Sequence, residues 1–465
     1  MKDSEKSLPR EDAGTRPTEP SFGRAPFTKG RIKLSTEAYK GVRDFYPEGF
    51  AIEQYIFSVW KETCKKFGYE EYSASILEPA DLYRGKTSEE IVNEQTYTFT
   101  DRGDREVTLR PEMTPTVARL IAGKRKTLFF PVRWFSIPNL FRYERPQRGR
   151  LREHFQLNAD IFGLPGIEAE TEIISLAYEV MQAFGIQDSN FEIRINSRKV
   201  MNYIIGTLLG KSGDDARKVA QLIDRRAKME KEVFEKSVSD LLGEKDALLL
   251  TLLNSKNFEE FVSHLPEEKA LTDSFAELKG LLEALEALGI TNVVFDQTLM
   301  RGFDYYTGIV FEVFDKNPAN PRALFGGGRY DDLLDMFGVE KVPTVGFGMG
   351  DVTIRDVLET YDLLPKSLPA PADLYLSAME KAWTGYVNDL AQNLRRAGVR
   401  VVVDHSEGKV GTKVKNADRA KIPFVAIIGE QEKTSGQIKV KNLATGKETA
   451  LAEDRISNFI KSFSA

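Results

Sequence analysis

The stretch Phe141-Arg142-Tyr143-Glu144-Arg145-Pro146-Gln147-Arg148-Gly149-Arg150-Leu151-Arg152-Glu153-His154-Phe155-Gln156, running on into Leu157-Asn158-Ala159-Asp160-Ile161, decides how this chain is read. Five arginines fall within it, around a polar centre that holds Pro146 and Gly149. The flanks read as strands. Trp134-Phe135-Ser136-Ile137 is apolar before the loop, and residues 155–161 alternate with period two after it. One face of that second strand carries Phe155, Leu157, Ala159 and Ile161; the other carries Gln156, Asn158 and Asp160. A strand with such a polar face beside an arginine loop makes a poor core strand. It suits the floor of a pocket that takes an anion at one side and an amine or imidazole at the other. Arginine fits phosphate because its planar fork donates in pairs and never loses its charge. A hairpin with a solvated basic loop is the alternative.

Outward from this stretch, composition sets the class. With 465 residues the chain has room for two or three domains, and 41% hydrophobic with 29% charged residues is the balance of a soluble globular protein. The net charge of -5 gives no global signal for nucleic acid, so any RNA contact must come from local patches. A single cysteine, Cys64, excludes a disulfide within the chain and suits a reducing cytosol. The three histidines (His154, His264, His405) lie far apart, so no His/Cys metal site is expected. No run is apolar enough to span a membrane, and the N-terminus lacks the apolar core of a signal peptide, so a cytoplasmic location is expected.

Along the chain, residues 1–34 are rich in Pro, Gly, Ser and mixed charge and read as a disordered tail. Gly41-Val42-Arg43-Asp44-Phe45-Tyr46-Pro47 leads into a helix over 48–67, stopped by Gly68, and a strand is expected over 71–77. Residues 96–101 and 106–110 pair around Arg102-Gly103-Asp104. Thr114 is a good N-cap with Pro115 behind it, giving a helix to about residue 122. Glu112, just before that helix, is either a solvated loop acid or an acceptor for a substrate ammonium. A helix over 168–184 and a strand over 191–195 follow. Residues 198–288 are almost wholly helical and charged and read as an inserted domain; the run 224–231 within it reads as a solvated helix face. Strands return at 293–296 and 309–314. Phe325-Gly326-Gly327-Gly328-Arg329-Tyr330-Asp331 is expected to open a helix, its glycines presenting backbone N–H groups. Val345-Gly346-Phe347-Gly348-Met349-Gly350 reads as a strand open to a flat ligand. Residues 364–372 are a proline-rich linker. Residues 373–465 alternate strand and helix as a small α/β unit.

Several motifs, in order, resemble those of the histidyl-tRNA synthetase family, class II aminoacyl-tRNA synthetases. Thr108-Leu109-Arg110-Pro111-Glu112 with Thr114 is the first. The arginine loop is similar to class II motif 2. Arg301-Gly302-Phe303-Asp304-Tyr305-Tyr306-Thr307-Gly308 and Gly327-Gly328-Arg329-Tyr330-Asp331 resemble the two histidyl signatures. The resemblance covers residues 40–465. It implies an α+β fold: a class II antiparallel sheet flanked by helices over 35–197 and 289–363, the helical insertion, and a C-terminal α/β anticodon-binding domain. It implies ATP and L-histidine as substrates, Mg²⁺, histidine tRNA as partner, and a homodimer.

By the same resemblance, Arg142 and Arg301 are the catalytic cations at the α-phosphate. A pentavalent phosphorus gains negative charge, so losing one such cation costs on the order of 10²–10³ in rate. Glu112, Thr114 and Gln156 would hold the substrate ammonium. Asp160 and Tyr306 would bind the imidazole, Tyr330 would lie against the substrate, and Tyr305 is a further histidine-binding residue. Glu144 and Arg150 join Arg142 and Arg301 as ATP residues. Arg145 and Gln147 would meet the acceptor end of the tRNA, and Lys409, Lys413 and Lys415 the anticodon stem. Three departures stand out. Asp160 takes the place of a frequent glutamate. The motif 1 proline stands as Ser75, with Pro79 displaced. Thr353 stands where motif 3 ends in an arginine for the γ-phosphate, and Arg355, two positions on, points elsewhere. Arg148, Arg150 and Arg152 are the candidate replacements, with Arg150 and Mg²⁺ favoured. The rival readings are a non-catalytic regulatory subunit of ATP phosphoribosyltransferase and a tRNA-sensing module.

Overall fold

The structure, a computed structural model, describes residues 35–84, 95–226, 229–300 and 305–463. The tail expected over 1–34 and the signature arginine Arg301 lie outside the described residues. The first twelve strands are β1 (Glu70–Glu71), β2 (Leu77–Pro79), β3 (Tyr97–Thr100), β4 (Glu106–Leu109), β5 (Val132–Ser136), β6 (Asn139–Phe141), β7 (Glu153–Phe162), β8 (Phe191–Ser197), β9 (Val293–Phe295), β10 (Ile309–Asp315), β11 (Ala323–Arg329) and β12 (Thr344–Gly350). One sheet runs β1-β5-β7-β12-β11-β10-β8-β9, with β6 paired to β7. From β5 to β8 every pairing is antiparallel; the edge pairs β1–β5 and β8–β9 are parallel. The expected antiparallel sheet is thus antiparallel at its centre and mixed overall.

Alternation gives this sheet two unlike faces. Leu157, Ala159 and Ile161 of β7, Phe311 and Val313 of β10 and Met349 of β12 point to one side. There they share a core with the helices Pro47–Lys66 and Glu168–Ala183. Ile56, Trp60 and Cys64 recur at helical spacing along the first helix and are fully buried. Trp60 also donates its indole N–H to Met349 Sδ at 3.1 Å. Truncating a ring packed like this costs about 3–5 kcal/mol.

The other face is polar and bare. Gln156, Asn158 and Asp160 lie directly opposite Gly350, Gly348 and Gly346, and these last two lie opposite Gly326 and Gly328. Directly paired residues share a face, so the polar side chains of β7 look across a floor of glycines. This corrects the reading of the triple glycine. Gly326-Gly327-Gly328 sits inside β11, and the next element is a 3₁₀ turn at Leu333–Phe337. Their backbone belongs to the sheet ladder, so what they supply is the absence of side chains.

The strand expected over 71–77 is broken. β1 joins the central sheet and β2 joins a second sheet of order β2-β4-β3. Between them the buried Arg110 guanidinium donates to the carbonyls of Ala74 and Ser75 at 2.8 and 3.2 Å, fixing the crossing.

The insertion has a core of its own, with Val219, Ile223, Phe234, Val238, Leu249 and Phe261 among its members. Its last helix, Lys269–Ala287, gives Leu271 to that core but Leu278, Leu281 and Leu285 to the core under the central sheet. The charged run 224–231 is not one helix face. It spans the end of helix Gly213–Arg225 and the start of Lys231–Leu242, with residues 227 and 228 outside the described set.

The C-terminal sheet adds β13 (Leu374–Ala378), β14 (Val401–Asp404), β15 (Phe424–Ile428), β16 (Gln437–Asn442) and β17 (Glu448–Ala452), in the order β14-β13-β15-β16-β17. Helices Thr384–Arg396 and Glu453–Lys461 share one core with this sheet. Helix Val410–Arg419 contributes Ala417 to a second cluster, with Tyr375 and Val425. Lys413 on that helix is buried. Its Nζ donates to Ser377 Oγ at 2.8 Å and to the Ser406 carbonyl at 2.6 Å, and pairs with Asp404 at 3.3 Å. It is therefore a structural lysine and cannot meet RNA, unlike the exposed Lys409 and Lys415.

Candidate active site

A cleft of about 280 Å³ opens over the glycine floor. Glu112, Thr114, Arg142, Glu144, Arg150 and Gln156 line it, as do Asp160, Tyr305, Tyr306 and Tyr330. These expected residues therefore come together from four separate stretches of chain, 112–114, 142–160, 305–306 and 330. Arg145 and Gln147 are exposed and do not line the cleft.

The apolar end is built from tyrosines. The Tyr305 and Tyr306 rings lie 4.8 Å apart, and each meets Tyr330 edge-on, at 5.6 and 6.3 Å. The two signatures that carry them are stitched together. Thr307 N–H donates to the Arg329 carbonyl at 2.8 Å, and the Asp331 N–H to Thr307 Oγ1 at 3.1 Å. Tyr330 donates its hydroxyl to Asp160 Oδ1. Asp160 is 4% exposed, and burial pushes its carboxyl up to about 7 against the opposing effect of that hydrogen bond. Gly346 makes this arrangement possible, since a Cβ there would fall inside contact distance of Asp160 Oδ1 and 2.8 Å from the Tyr330 hydroxyl.

Next to this pair the wall is acidic. Glu112 is buried and accepts from the Tyr305 hydroxyl at 3.3 Å. Helix Thr114–Lys124 starts at Thr114, with Pro115 in its first turn. The N-cap is Met113, which has no capping side chain, so Thr114 sits one residue further in than expected.

The opposite end is basic. Arg142 Nε donates to the Pro111 carbonyl at 2.8 Å, which ties the guanidinium to the motif that carries Glu112. Arg150 Nη1 pairs with Glu144 Oε2 at 3.0 Å. The three candidate replacements for the motif 3 arginine separate cleanly. Arg150 lines the cleft; Arg148 and Arg152 do not. Arg152 is buried, donates to the carbonyls of Glu144 (3.1 Å) and Lys40 (3.3 Å), and lies 4.0 Å over the Tyr143 ring. Arg355 points away, as expected, pairing with Glu53 at 3.4 Å and Glu359 at 3.0 Å. Thr353 lines the cleft, but its hydroxyl is turned back onto the carbonyls of Leu324 (2.8 Å) and Gly350 (3.1 Å).

Two ionisable lining residues were not singled out as site residues from the sequence. Glu312 faces the cleft from β10, opposite Gly326. Its signal was a lone glutamate in the apolar run Ile309–Asp315. His154 also lines the cleft. Burial and the charges of Arg142 and Arg43 push its imidazole down to about 3, so it is neutral. Below it, the buried Asp351 accepts from Phe155 N–H at 2.9 Å and pairs with Arg43, which locks the start of β7 to the end of β12.

A family model described as histidyl-tRNA synthetase matches residues 41–352, and one described as an anticodon binding domain matches residues 373–463. The histidine–tRNA ligase of Leptospira biflexa is 39% identical over 421 residues, covering 89% of this chain and 94% of its own. That of Thermoplasma volcanium is 36% identical, covering 89% and 96%. Among solved structures, histidyl-tRNA synthetase from Nostoc sp. PCC 7120 matches with a TM-score of 0.72 at 21% identity, over 93% of this chain and 100% of that one. The apo enzyme of S. aureus matches with a TM-score of 0.69 at 25% identity, over 92% and 100%. A Bacillus halodurans C chain described as an ATP phosphoribosyltransferase regulatory subunit/histidyl-tRNA synthetase shares the fold, with a TM-score of 0.68 at 24% identity, over 83% and 97%. With a site of this make-up and matches of this extent, the chain belongs to the histidyl-tRNA synthetase family.

Proposed function

We propose that this protein activates L-histidine with ATP and passes the histidyl group to the 3′ end of histidine tRNA. The observation that carries the reading is the buried Asp160–Tyr330 pair at the closed end of a cleft whose other end is arginine-rich. The substrate's imidazole N–H donates to Asp160, while Glu112, Thr114 and Gln156 receive the ammonium. The substrate carboxylate then faces Arg142. It attacks the α-phosphorus of ATP, the bond to the β-phosphate oxygen breaks, and pyrophosphate leaves. A hydroxyl of the terminal adenosine next attacks the acyl carbon and AMP leaves. The substrate is itself the nucleophile, so no activated serine or cysteine is needed. Arg142 and Arg301 stabilise the charge that builds on phosphorus.

Among the described residues no group of three or more His, Cys, Asp or Glu is placed to hold a metal. Mg²⁺ bound with a nucleotide needs only one or two carboxylates besides the phosphates, and Glu144 and Glu312 face the cleft. When bound, it would neutralise phosphate charge. Arg145 and Gln147, exposed on the loop outside the cleft, would meet the acceptor end of the tRNA. Residues 373–465 would take the anticodon stem.

We read the chain as a cytoplasmic homodimer. Among the described residues no helix is long and apolar enough to cross a membrane. The face of the small sheet that carries Leu77 and Phe99 leaves them 40% and 50% exposed, which is apolar surface for a second copy to cover.

The deciding experiment is histidine-dependent ATP–pyrophosphate exchange. A regulatory subunit or a tRNA sensor gives none. Arg301→Ala should keep the fold and the dimer yet lose exchange, by on the order of 10²–10³. Full exchange in that variant would remove Arg301 from the mechanism.

A further inference from the structure

The tip of the arginine loop is docked. Arg148 donates from Nε and Nη2 to Asn320 Oδ1 at 3.2 and 3.0 Å, and from Nη2 to Thr360 Oγ1 at 3.4 Å. Asp356 lies 4.0 Å from its Nε. One residue on, a Cβ on Gly149 would meet Thr353 Cγ2 at 3.5 Å, so the tip rests on the very residue that replaces the motif 3 arginine. One residue back, Gln147 accepts from Arg322 Nη2 at 3.0 Å. The socket is formed by the β10–β11 turn and the far end of helix Asp351–Thr360.

Asn320 is oriented for this contact by partners outside the loop. It is 8% exposed, and its Nδ2 donates to Asp315 Oδ2 at 2.7 Å and to Thr360 Oγ1 at 3.1 Å. A carboxylate only accepts, so Asp315 fixes which end of the amide it meets, and Oδ1 is left to face Arg148. Asp315 is held in turn by the Tyr361 hydroxyl at 2.6 Å and the Asn317 N–H at 2.9 Å. The order of control runs from Asp315 to Asn320 to Arg148, and then two residues along the loop to Arg150.

We propose that Asn320 is a positioning residue for ATP: by gripping Arg148 it keeps the arginine loop folded over the cleft, so that Arg150 meets the outer phosphates in place of the cation that Thr353 does not supply. This rests on ATP binding in the cleft. A long arginine loses rotamer freedom when it is fixed on a ligand. A loop already docked lowers the further ordering that binding must impose.

The test is pyrophosphate exchange with the full-length protein. Asn320→Ala and Arg148→Ala are each expected to raise the KM for ATP about tenfold, the scale of one charge-assisted hydrogen bond, and to leave the KM for histidine unchanged. Arg148 is half exposed, so its variant reports the grip even where Asn320→Ala folds poorly. The double variant Asn320→Ala/Arg150→Ala should be no worse for ATP than Arg150→Ala alone, because both act through one guanidinium. Multiplied effects overturn the route through Arg150, as does an unchanged KM for ATP in Arg150→Ala. An unchanged KM for ATP in Arg148→Ala, with a raised one in Arg150→Ala, overturns the grip itself. Absence of exchange in the unaltered protein defeats the ATP reading and this proposal together.

Discussion

Tyr330 donates its hydroxyl to the Asp160 carboxylate at the closed end of the cleft, and both groups are buried there. Burial raises Asp160 from 3.8 to about 7, so in the ligand-free protein the folded state favours the protonated acid. As pH climbs from about 4 to about 7, the unfolded chain gives up this proton and the folded protein keeps it. Stability therefore falls across that window and levels off above it. Asp160→Asn removes this dependence. We expect its Tm, relative to the unaltered protein, to rise from pH 4 to pH 7, with a gain on the order of a few kcal/mol at most. The same variant should raise the KM for histidine about ten- to a hundredfold, the scale of a hydrogen bond to a charged group. A Tm difference that does not change with pH would remove Asp160 as the titrating group.

Gly346→Ala probes the same pair from the floor. The added methyl falls inside contact distance of Asp160 Oδ1 and lies 2.9 Å from the Ala159 carbonyl oxygen. The backbone cannot yield, so the carboxylate must move. We expect a loss of about 1–3 kcal/mol in stability from overpacking, and a KM for histidine raised more than that for ATP. Equal rises in both would mean that the whole sheet has shifted.

Much of this site was legible in the sequence because it rests on period-two alternation. Gln156, Asn158 and Asp160 could be placed on one face of a strand from their spacing alone. The family motifs supplied Glu112, Thr114 and the tyrosines. What failed was the role of glycine: a run of three reads as the opening of a helix with its backbone N–H groups presented, yet in β11 it is a strand. Only its register against Gly346 and Gly348 shows that, and register depends on residues far apart in the chain. Lys413 failed for a similar reason. Its three polar partners come from Ser377, Asp404 and Ser406, which no local pattern links to it. The docking of Arg148 on Asn320 crosses 172 positions and had no signal in the motifs.

Arg329 of the second signature serves the fold rather than the substrate. It donates to both oxygens of the buried Glu170 at 2.6 and 2.5 Å and to the Gly166 carbonyl at 2.8 Å. Arg329→Met would strand Glu170, whose carboxyl burial already pushes up. We expect destabilisation of about 3–5 kcal/mol in urea titration, and recovery of much of it in Arg329→Met/Glu170→Leu. A single variant as stable as the parent would show that Glu170 takes up a proton without cost.

The C-terminal unit has its own core, built on Leu374, Leu376, Phe424 and Ile456. Truncation after Leu368 should spare pyrophosphate exchange and impair aminoacylation. Lys409→Ala and Lys415→Ala together should weaken tRNA binding and flatten its salt dependence, since removing one lysine–phosphate pair lowers the slope by roughly one. Undiminished aminoacylation by the truncated chain would assign this unit another role.

Thr353 carries the last prediction. Its hydroxyl is satisfied by two carbonyls, so its contribution to ATP is at most steric. It still lines the cleft at the start of helix Asp351–Thr360, so an arginine placed there can reach the nucleotide. To do so its stem must pass beneath Gly149, which rests on Thr353. Thr353→Arg alone should therefore lift the loop tip while its own guanidinium offsets the lost grip, leaving the KM for ATP unchanged or slightly raised. In the Arg150→Ala background, where the KM for ATP is expected to be ten- to a hundredfold higher, the same substitution should recover part of the loss, on the order of a charge-assisted contact. The recovery should shrink with added salt, because the open cleft leaves the new pair partly screened. A double variant with no better KM for ATP than Arg150→Ala, at any ionic strength, would mean that position 353 no longer faces the γ-phosphate. The loop arginine would then stand apart from the site that the family's motif 3 arginine occupies.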